Sequence, residues 1–322
     1  MSTHSLGAVG VPTATAPTTG APAAGTTSHA PDAGTLWRPS APCSPRTCID
    51  PSESTRAMPL AVLRIAAVLS LLIVGLVLMP LGGRIPAGLV RRWCRWVVRS
   101  AGVQVRVEGG ATADGGLLLV ANHVSWLDIP MLAAVRPARM LAKSEIRDWP
   151  VAGWLTARSG ALFIDRDRIR ALPDTVARIA EALRAGEAVA VFPEGSTWCG
   201  RGQGHFRRAA FQAALDAGVP VQPVRLRYRV AEGAPTTAAA FVGQDALLSS
   251  VWRVARARRI VAVAEVMEPI TPDGGADRRT LARAAQAAAL LGERQVRRVV
   301  PLSAPAAGQP PAPAPSREPL TA

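Results

Sequence analysis

Scarcities narrow the chemistry of this chain before any motif is considered. Its 322 residues contain four cysteines: Cys43 and Cys48 in a proline-rich stretch, Cys94 beside an apolar segment, and Cys199 far downstream. They show neither zinc spacing nor the density of a disulfide scaffold, so the body of the chain reads as a reduced protein. A Cys43–Cys48 disulfide fits the spacing but has no other support. The glycines of Gly200-Arg201-Gly202-Gln203-Gly204 lack the Gly-x-Gly-x-x-Gly spacing of a dinucleotide loop and read as a flexible loop. No internal repeat is present. Among 37 basic residues the only lysine is Lys143, a bias that GC-rich coding produces without functional meaning. The two ends lack apolar periodicity: residues 1–57 are dominated by Ala, Pro, Thr, Ser and Gly, and 301–322 by Pro and Ala, so both are expected to be unstructured tails.

What remains is a membrane anchor over 58–100 and one domain of ordinary size over 101–300. The net charge of +14 calls for an anionic partner, whether nucleic acid, an acidic membrane surface or a phosphate-bearing substrate. Between Arg64 and Arg84 lie nineteen uncharged residues, Ile65 to Gly83. As a helix they measure about 28 Å, near the ~30 Å hydrocarbon thickness. No small-x-small cleavage site follows Met79-Pro80-Leu81, which argues against a secretory signal. Over Ile85 to Ser100, Arg91, Arg92, Arg95 and Arg99 fall on one helical face, with Leu89, Trp93, Trp96 and Val97 largely opposite. That pattern predicts an amphipathic helix in the membrane interface, and the arginine excess places this side in the cytoplasm. A nucleic-acid binder would leave the apolar segment unexplained.

The domain alternates strands with helices. Strands are expected at Val103–Val107, Leu117–Val120, Ala161–Ile164, Ala188–Phe192, Val219–Arg227 and Ile260–Val266. Helices are expected at Pro130–Ala134, Val151–Ala157, Arg170–Ala185, Ala209–Ala217 and Arg278–Val299. Such alternation predicts an α/β fold with a mostly parallel sheet flanked by helices. Arg253 to Arg259 reads as a solvated basic edge, and His205 as a surface histidine.

The strand Leu117–Val120 runs into Ala121-Asn122-His123-Val124-Ser125-Trp126-Leu127-Asp128. Open α/β sheets place chemistry in loops at strand ends. Histidine takes a proton from a hydroxyl near neutral pH, its ordinary pKa being about 6.5. Asp128 is close enough to accept the other ring N–H and fix the tautomer. With no serine or cysteine nucleophile in a recognisable setting nearby, the pair reads as a general base acting on the substrate's own hydroxyl; an isolated His–Asp pair also serves as a plain structural hydrogen bond.

Asn122-His123-x4-Asp128 resembles the first motif of the lysophospholipid acyltransferases, the glycerolipid acyltransferase family that includes 1-acylglycerol-3-phosphate acyltransferases. Three further segments match that family in order. Gly160-Ala161-Leu162-Phe163-Ile164-Asp165-Arg166 is similar to its second motif, Phe192-Pro193-Glu194-Gly195-Ser196 to its third, and Val219-Pro220-Val221-Gln222-Pro223-Val224 to its fourth. Together they span about 105 residues. Many members continue the third motif with Thr-Arg where this chain has Ser196-Thr197-Trp198. Phe206-Arg207-Arg208-Ala209-Ala210 resembles a following family segment with Ala209 in place of glycine, and Ala142-Lys143-Ser144-Glu145 resembles another.

The resemblance implies an acyltransferase that moves a fatty acyl group from acyl-CoA or acyl carrier protein to the hydroxyl of a lysophospholipid. Lysophosphatidic acid is its leading acceptor and another lysolipid such as lyso-ornithine lipid the close rival. His123 and Asp128 are the implied catalytic pair. Arg166 is implied to hold the acceptor phosphate, and Glu194 to bind glycerol hydroxyls or steady Arg166. Gly195, Ser196, Lys143, Arg207 and Arg208 are implied substrate contacts. Pro220 and Pro223 argue against a regular central strand and for a shaped wall near the acyl chain. Backbone N–H groups of the first-motif turn or near Gly195 are expected to hold the oxyanion. The expected partners are membrane phospholipid, the lysolipid and the acyl donor, with no nucleic acid; no cofactor or metal is required. The expected location is the cell membrane, with the domain on its cytoplasmic face. A silent lipid-binding protein of the same fold is disfavoured because His123 and Asp128 are both intact.

Overall fold

Five consecutive apolar residues, Leu117 to Ala121, form a strand (β2) in which every side chain is buried. A strand buried on both faces belongs in the middle of a sheet covered on both sides. The computed structural model, which describes residues 41–50, 56–148, 153, 156, 158–165, 168–273 and 275–291, places β2 there. The sheet has seven strands: β1 (Val103–Gly109), β2, β3 (Arg139–Lys143), β4 (Leu162–Ile164), β5 (Ala188–Val191), β6 (Val221–Val230) and β7 (Ile260–Val266). Their spatial order is β1-β7-β6-β2-β5-β3-β4. All neighbours run parallel except β6 and β7.

Side chains alternate across β2, and each set meets its own layer of helices. Leu117, Leu119 and Ala121 pack with Val97 and Val98 of α3 (Ala87–Ser100) and Met131 and Leu132 of α4 (Asp128–Val135). Leu118 and Val120 pack with Ile179 and Leu183 of α5 (Leu172–Arg184), Phe211 of α6 (Ala209–Ala217) and Leu281 and Ala285 of α8 (Arg278–Leu291). Burying each such large side chain stabilises the fold by roughly 1.5–3 kcal/mol.

Several expectations change. β3 was not anticipated, because its apolar run is only Met140, Leu141 and Ala142. The basic edge at 253–259 is mostly the end of a helix, α7 (Leu247–Arg256). Arg253 turns inward there, donating to the carbonyls of Ala238 (3.0 Å) and Ala240 (2.6 Å) and to Asp245 (2.6 Å). Pro220 and Pro223 do not break the centre of the sheet: Pro223 sits within β6, opposite Val120 of β2. The ladder to β2 runs through the alternate residues, as in Leu118 N–H to the Pro220 carbonyl (3.1 Å), while the Pro223 carbonyl accepts from Met267. The missing proline N–H therefore falls on the side where β7 has already ended. The helix expected at 151–157 lies outside the described residues apart from Gly153 and Thr156.

The N-terminal stretch is also not wholly tail. Residues 45–48 form a short helix, α1 (Pro45–Cys48), with Ser44 as its N-cap. Asp50 N–H donates to Thr237 Oγ1 (2.9 Å), and the Asp50 carboxylate pairs with Arg201. Arg201 thereby ties down a loop read from sequence as flexible. The apolar segment is α2 (Met58–Leu78), a helix long and apolar enough to cross a membrane. One stripe of it packs on the domain: Ala61 and Val68 are buried, Arg64 donates to the carbonyls of Ala255 (2.7 Å) and Ala257 (3.1 Å), and Leu71 O accepts from Trp93 Nε1 (3.2 Å). α3 is likewise a core helix along Cys94, Val97 and Val98, while Trp96 and Leu89 stay exposed.

Candidate active site

β2 runs into the first motif and β5 into the third, β4 lies within the second, and the fourth holds the first residues of β6, with Val224 beside Ala121 at the end of β2. His123 stands just beyond β2, and Asp128 opens α4. The turn between them closes on the Asp128 carboxylate. Oδ2 accepts from Val124 N–H (2.6 Å), Ser125 N–H (2.8 Å) and His123 Nδ1 (2.9 Å), and Oδ1 accepts from the Tyr228 hydroxyl (2.6 Å). Asp128 is fully buried, whereas the His123 side chain keeps 20% of its surface. Because an ionised carboxylate only accepts, Nδ1 carries the proton and Nε2 is left with its lone pair. The ring lies flat on Phe192, centroids 3.9 Å apart at 11°.

Two more polar side chains fix the loop to its neighbours. The Asn122 amide makes a paired contact with Leu226 on β6, donating to its carbonyl (2.9 Å) and accepting its N–H (2.8 Å). Glu194 is buried behind His123: one oxygen accepts His123 N–H (2.8 Å) and the other Gly204 N–H (3.0 Å). Glu194 thus braces two loops through their backbone, a role not expected from the sequence. Burial pushes its carboxyl up from the ordinary 4.5 to about 7, against the lowering effect of the two backbone donors and with a smaller upward push from Asp128. Burial likewise raises the Tyr228 phenol well above its ordinary value, and neighbouring Asp128 adds to that.

Four of the expected oxyanion donors are engaged within the protein. Val124 and Ser125 N–H serve Asp128, His123 N–H serves Glu194, and Gly195 N–H donates to the Phe192 carbonyl (3.0 Å) in a turn where its φ of 73° suits glycine. The turn spends its amides on holding its own shape. Ser196 is half-buried after that turn, and Pro223 is buried in β6. Arg207 and Arg208 are exposed at the start of α6, with Arg207 N–H bonded to the Pro193 carbonyl (3.0 Å). Lys143 is the exposed last residue of β3, beside Ile164 of β4. Arg166 lies outside the described residues; Asp165 before it accepts Arg168 N–H (3.2 Å).

Sequence reasoning missed Tyr228, Phe192 as a ring partner, and the bracing role of Asn122. Tyr228 is the chain's single tyrosine, a signal available in the composition, but its contact with a residue a hundred positions upstream exists only in the folded sheet.

A histidine held by a buried aspartate just beyond a central strand of a mostly parallel sheet is suited to proton transfer. An Acyltransferase family model matches residues 102–227. The chain is 42% identical over 205 residues to a lyso-ornithine lipid O-acyltransferase of Pseudomonas aeruginosa, covering 63% of this chain and 77% of that one. It is 36% identical over 163 residues to a 1-acyl-sn-glycerol-3-phosphate acyltransferase of Neisseria gonorrhoeae, covering 50% and 64%. A crystal structure of the 1-acyl-sn-glycerophosphate acyltransferase of Thermotoga maritima shares the fold, with a TM-score of 0.52 at 20% identity over 74% of this chain and 96% of that one. The chain belongs to the lysophospholipid acyltransferase family.

Proposed function

We propose that this protein transfers a fatty acyl group from a thioester to the free hydroxyl of lyso-ornithine lipid at a membrane surface. The observation that carries the reaction is the His123–Asp128 contact of 2.9 Å, with the aspartate fully buried and the histidine open to solvent. Nε2 takes the proton from the acceptor hydroxyl as its oxygen attacks the thioester carbonyl. The new C–O bond forms, the C–S bond breaks, and the proton returns to the leaving thiolate, whose acid has a pKa near 8.5 in a model thiol. Asp128 orients the ring and stabilises the imidazolium formed in between. Acyl-CoA or acyl carrier protein is the donor substrate, and the scheme calls for no cofactor. α2 and the arginines of α3 hold the domain on phospholipid, on the cytoplasmic face.

The acceptor departs from the lysophosphatidic acid that the motifs put first. The 42% identity to the Pseudomonas lyso-ornithine enzyme over 205 residues supports the change. So does Thr197, which stands where many members have the arginine of Thr-Arg and so removes a guanidinium suited to a phosphomonoester. The second reading, lysophosphatidic acid, is supported by the Neisseria relative and by Arg166. Membranes carrying the full chain, assayed with both lysolipids and both donor types, decide between them. Higher catalytic efficiency on lyso-ornithine lipid is expected; the reverse preference establishes the second reading. No transfer to either, and no difference from His123→Ala, makes the protein a lipid binder.

A further inference from the structure

Three of the four cysteines, separated by more than 150 positions in the chain, meet in space. The sulfurs of Cys43, Cys48 and Cys199 all lie within 4.8 Å of one another. All three are free thiols; Cys43 and Cys199 are buried and Cys48 is partly so. α1 arranges the first two, since four residues separate them and the Ser44 cap, accepting Thr47 N–H at 3.3 Å, sets the turn. The third comes from the loop after the third motif. From sequence these cysteines showed no zinc spacing, because the spacing that matters runs from residue 48 to residue 199.

We propose that Cys43, Cys48 and Cys199 form a structural site for a thiophilic divalent cation, zinc in the first instance. Tetrahedral zinc holds thiolates at about 2.3 Å, which sets its sulfurs roughly 3.8 Å apart. The trio therefore needs to close by only about 1 Å. A disulfide joins two sulfurs at about 2.05 Å and leaves the third without a role, whereas a cation uses all three and leaves its fourth position to water. Binding releases the three thiol protons to solvent. Three thiolates and a divalent ion carry one surplus negative charge, and Arg201 stands two residues after Cys199. Its ion pair with Asp50 fastens the same two segments together.

The position gives the site a purpose. Trp198, adjacent to Cys199, donates its backbone N–H to the His123 carbonyl (2.8 Å). Gly204, farther along the same loop, donates to Glu194, whose other oxygen holds His123 N–H. A cation joining α1 to this loop thus steadies the backbone that carries the general base, without touching substrate.

The test uses full-length protein purified without a polyhistidine tag under reducing conditions. Elemental analysis should find about one zinc per chain, and bound metal should fall at least about tenfold in Cys43→Ser, Cys48→Ser and Cys199→Ser. Cys94→Ser, altering the one cysteine outside the cluster, should keep its metal. Alkylation followed by mass spectrometry reads the wild type alone, so it stands even if a variant misfolds. Cys43, Cys48 and Cys199 should be protected with zinc present and modified after chelation. Added cobalt(II) should give the thiolate charge-transfer absorption of a sulfur-rich tetrahedral site. The proposal fails if the protein is metal-free and cobalt gives no such band. It also fails if zinc protects none of the three thiols, or if the purified chain carries a disulfide among them.

Discussion

The Asp128 carboxylate receives four donors, three of them from its own turn. It therefore sets the shape of the loop as well as the orientation of the ring. Removing His123 deletes the base but leaves this framework, so His123→Ala should lower acyl transfer by about 10²–10⁴-fold with melting behaviour near normal. Asp128→Asn presents an N–H₂ group where donors converge and should lose both activity and stability; an Asn variant that melts like wild type would remove the framework role. Glu194 makes a different prediction. Its folded-state pKa of about 7 lies above the ordinary 4.5, so the folded chain binds the proton more tightly. This contribution is present below about pH 4.5 and is lost as pH rises through about 7, a span on the order of 3 kcal/mol. Glu194→Gln cannot ionise. Melting temperatures of wild type and variant, followed across that range, should diverge with the wild type falling; parallel curves would place the pKa near its ordinary value.

At the scale of elements, α2 carries two different faces. Ala61, Arg64, Val68, Leu71 and Gly75 recur at intervals of three and four, which keeps them on one stripe. Gly75 is required by contact: a Cβ there would stand 2.5 Å from Trp93 Cζ2. The remaining surface exposes Leu63, Leu69, Ile73 and Val77, an apolar face suited to lipid. α3 belongs to the core, so a chain beginning at Ala101 would lose buried Cys94, Val97 and Val98 and should not fold. A chain beginning at Ile85 keeps α3 and removes α2 together with α1 and Asp50. It should bind anionic vesicles at low salt through the α3 arginines and be released at high salt, while the full chain stays bound. Retention of the shortened chain at high salt would place the anchor outside α2.

At the scale of the whole molecule, the sheet order separates the reacting centre from the second motif. β4 is three strands from β2, so the end of β4 at Ile164 lies roughly 14 Å across the sheet from β2. The role proposed for Arg166 is to hold the phosphate of an acceptor headgroup. Arg166→Ala should cut catalytic efficiency on lysophosphatidic acid about ten- to more than a hundredfold, since a hydrogen bond to a charged group is worth roughly 1.5–3 kcal/mol. Lyso-ornithine lipid, without a phosphomonoester, should lose much less. The ratio of the two efficiencies, compared between wild type and variant, checks this, and an unchanged ratio would free Arg166 of phosphate recognition.

Local pattern determined a good deal by itself. The apolar run of β2, the alternation of strands and helices, α6 over Ala209–Ala217 and β7 over Ile260–Val266 follow from short-range periodicity, because helix and strand repeats are written into neighbouring residues. His123 and Asp128 were legible for the same reason, being five positions apart in one loop. Contacts between distant segments were decided only by the tertiary structure. Tyr228 reaches Asp128 because β6 pairs beside β2, Glu194 turns to the His123 backbone because β5 pairs on the other side, and Pro223 is tolerated because β7 ends before it. The cysteines make the same point: Cys43 and Cys48 look like tail residues until Asp50 and Arg201 bring them beside Cys199. Sequence carries the periodicities that bury apolar faces, but which polar groups satisfy one another depends on strand order, and no window along the chain contains that order.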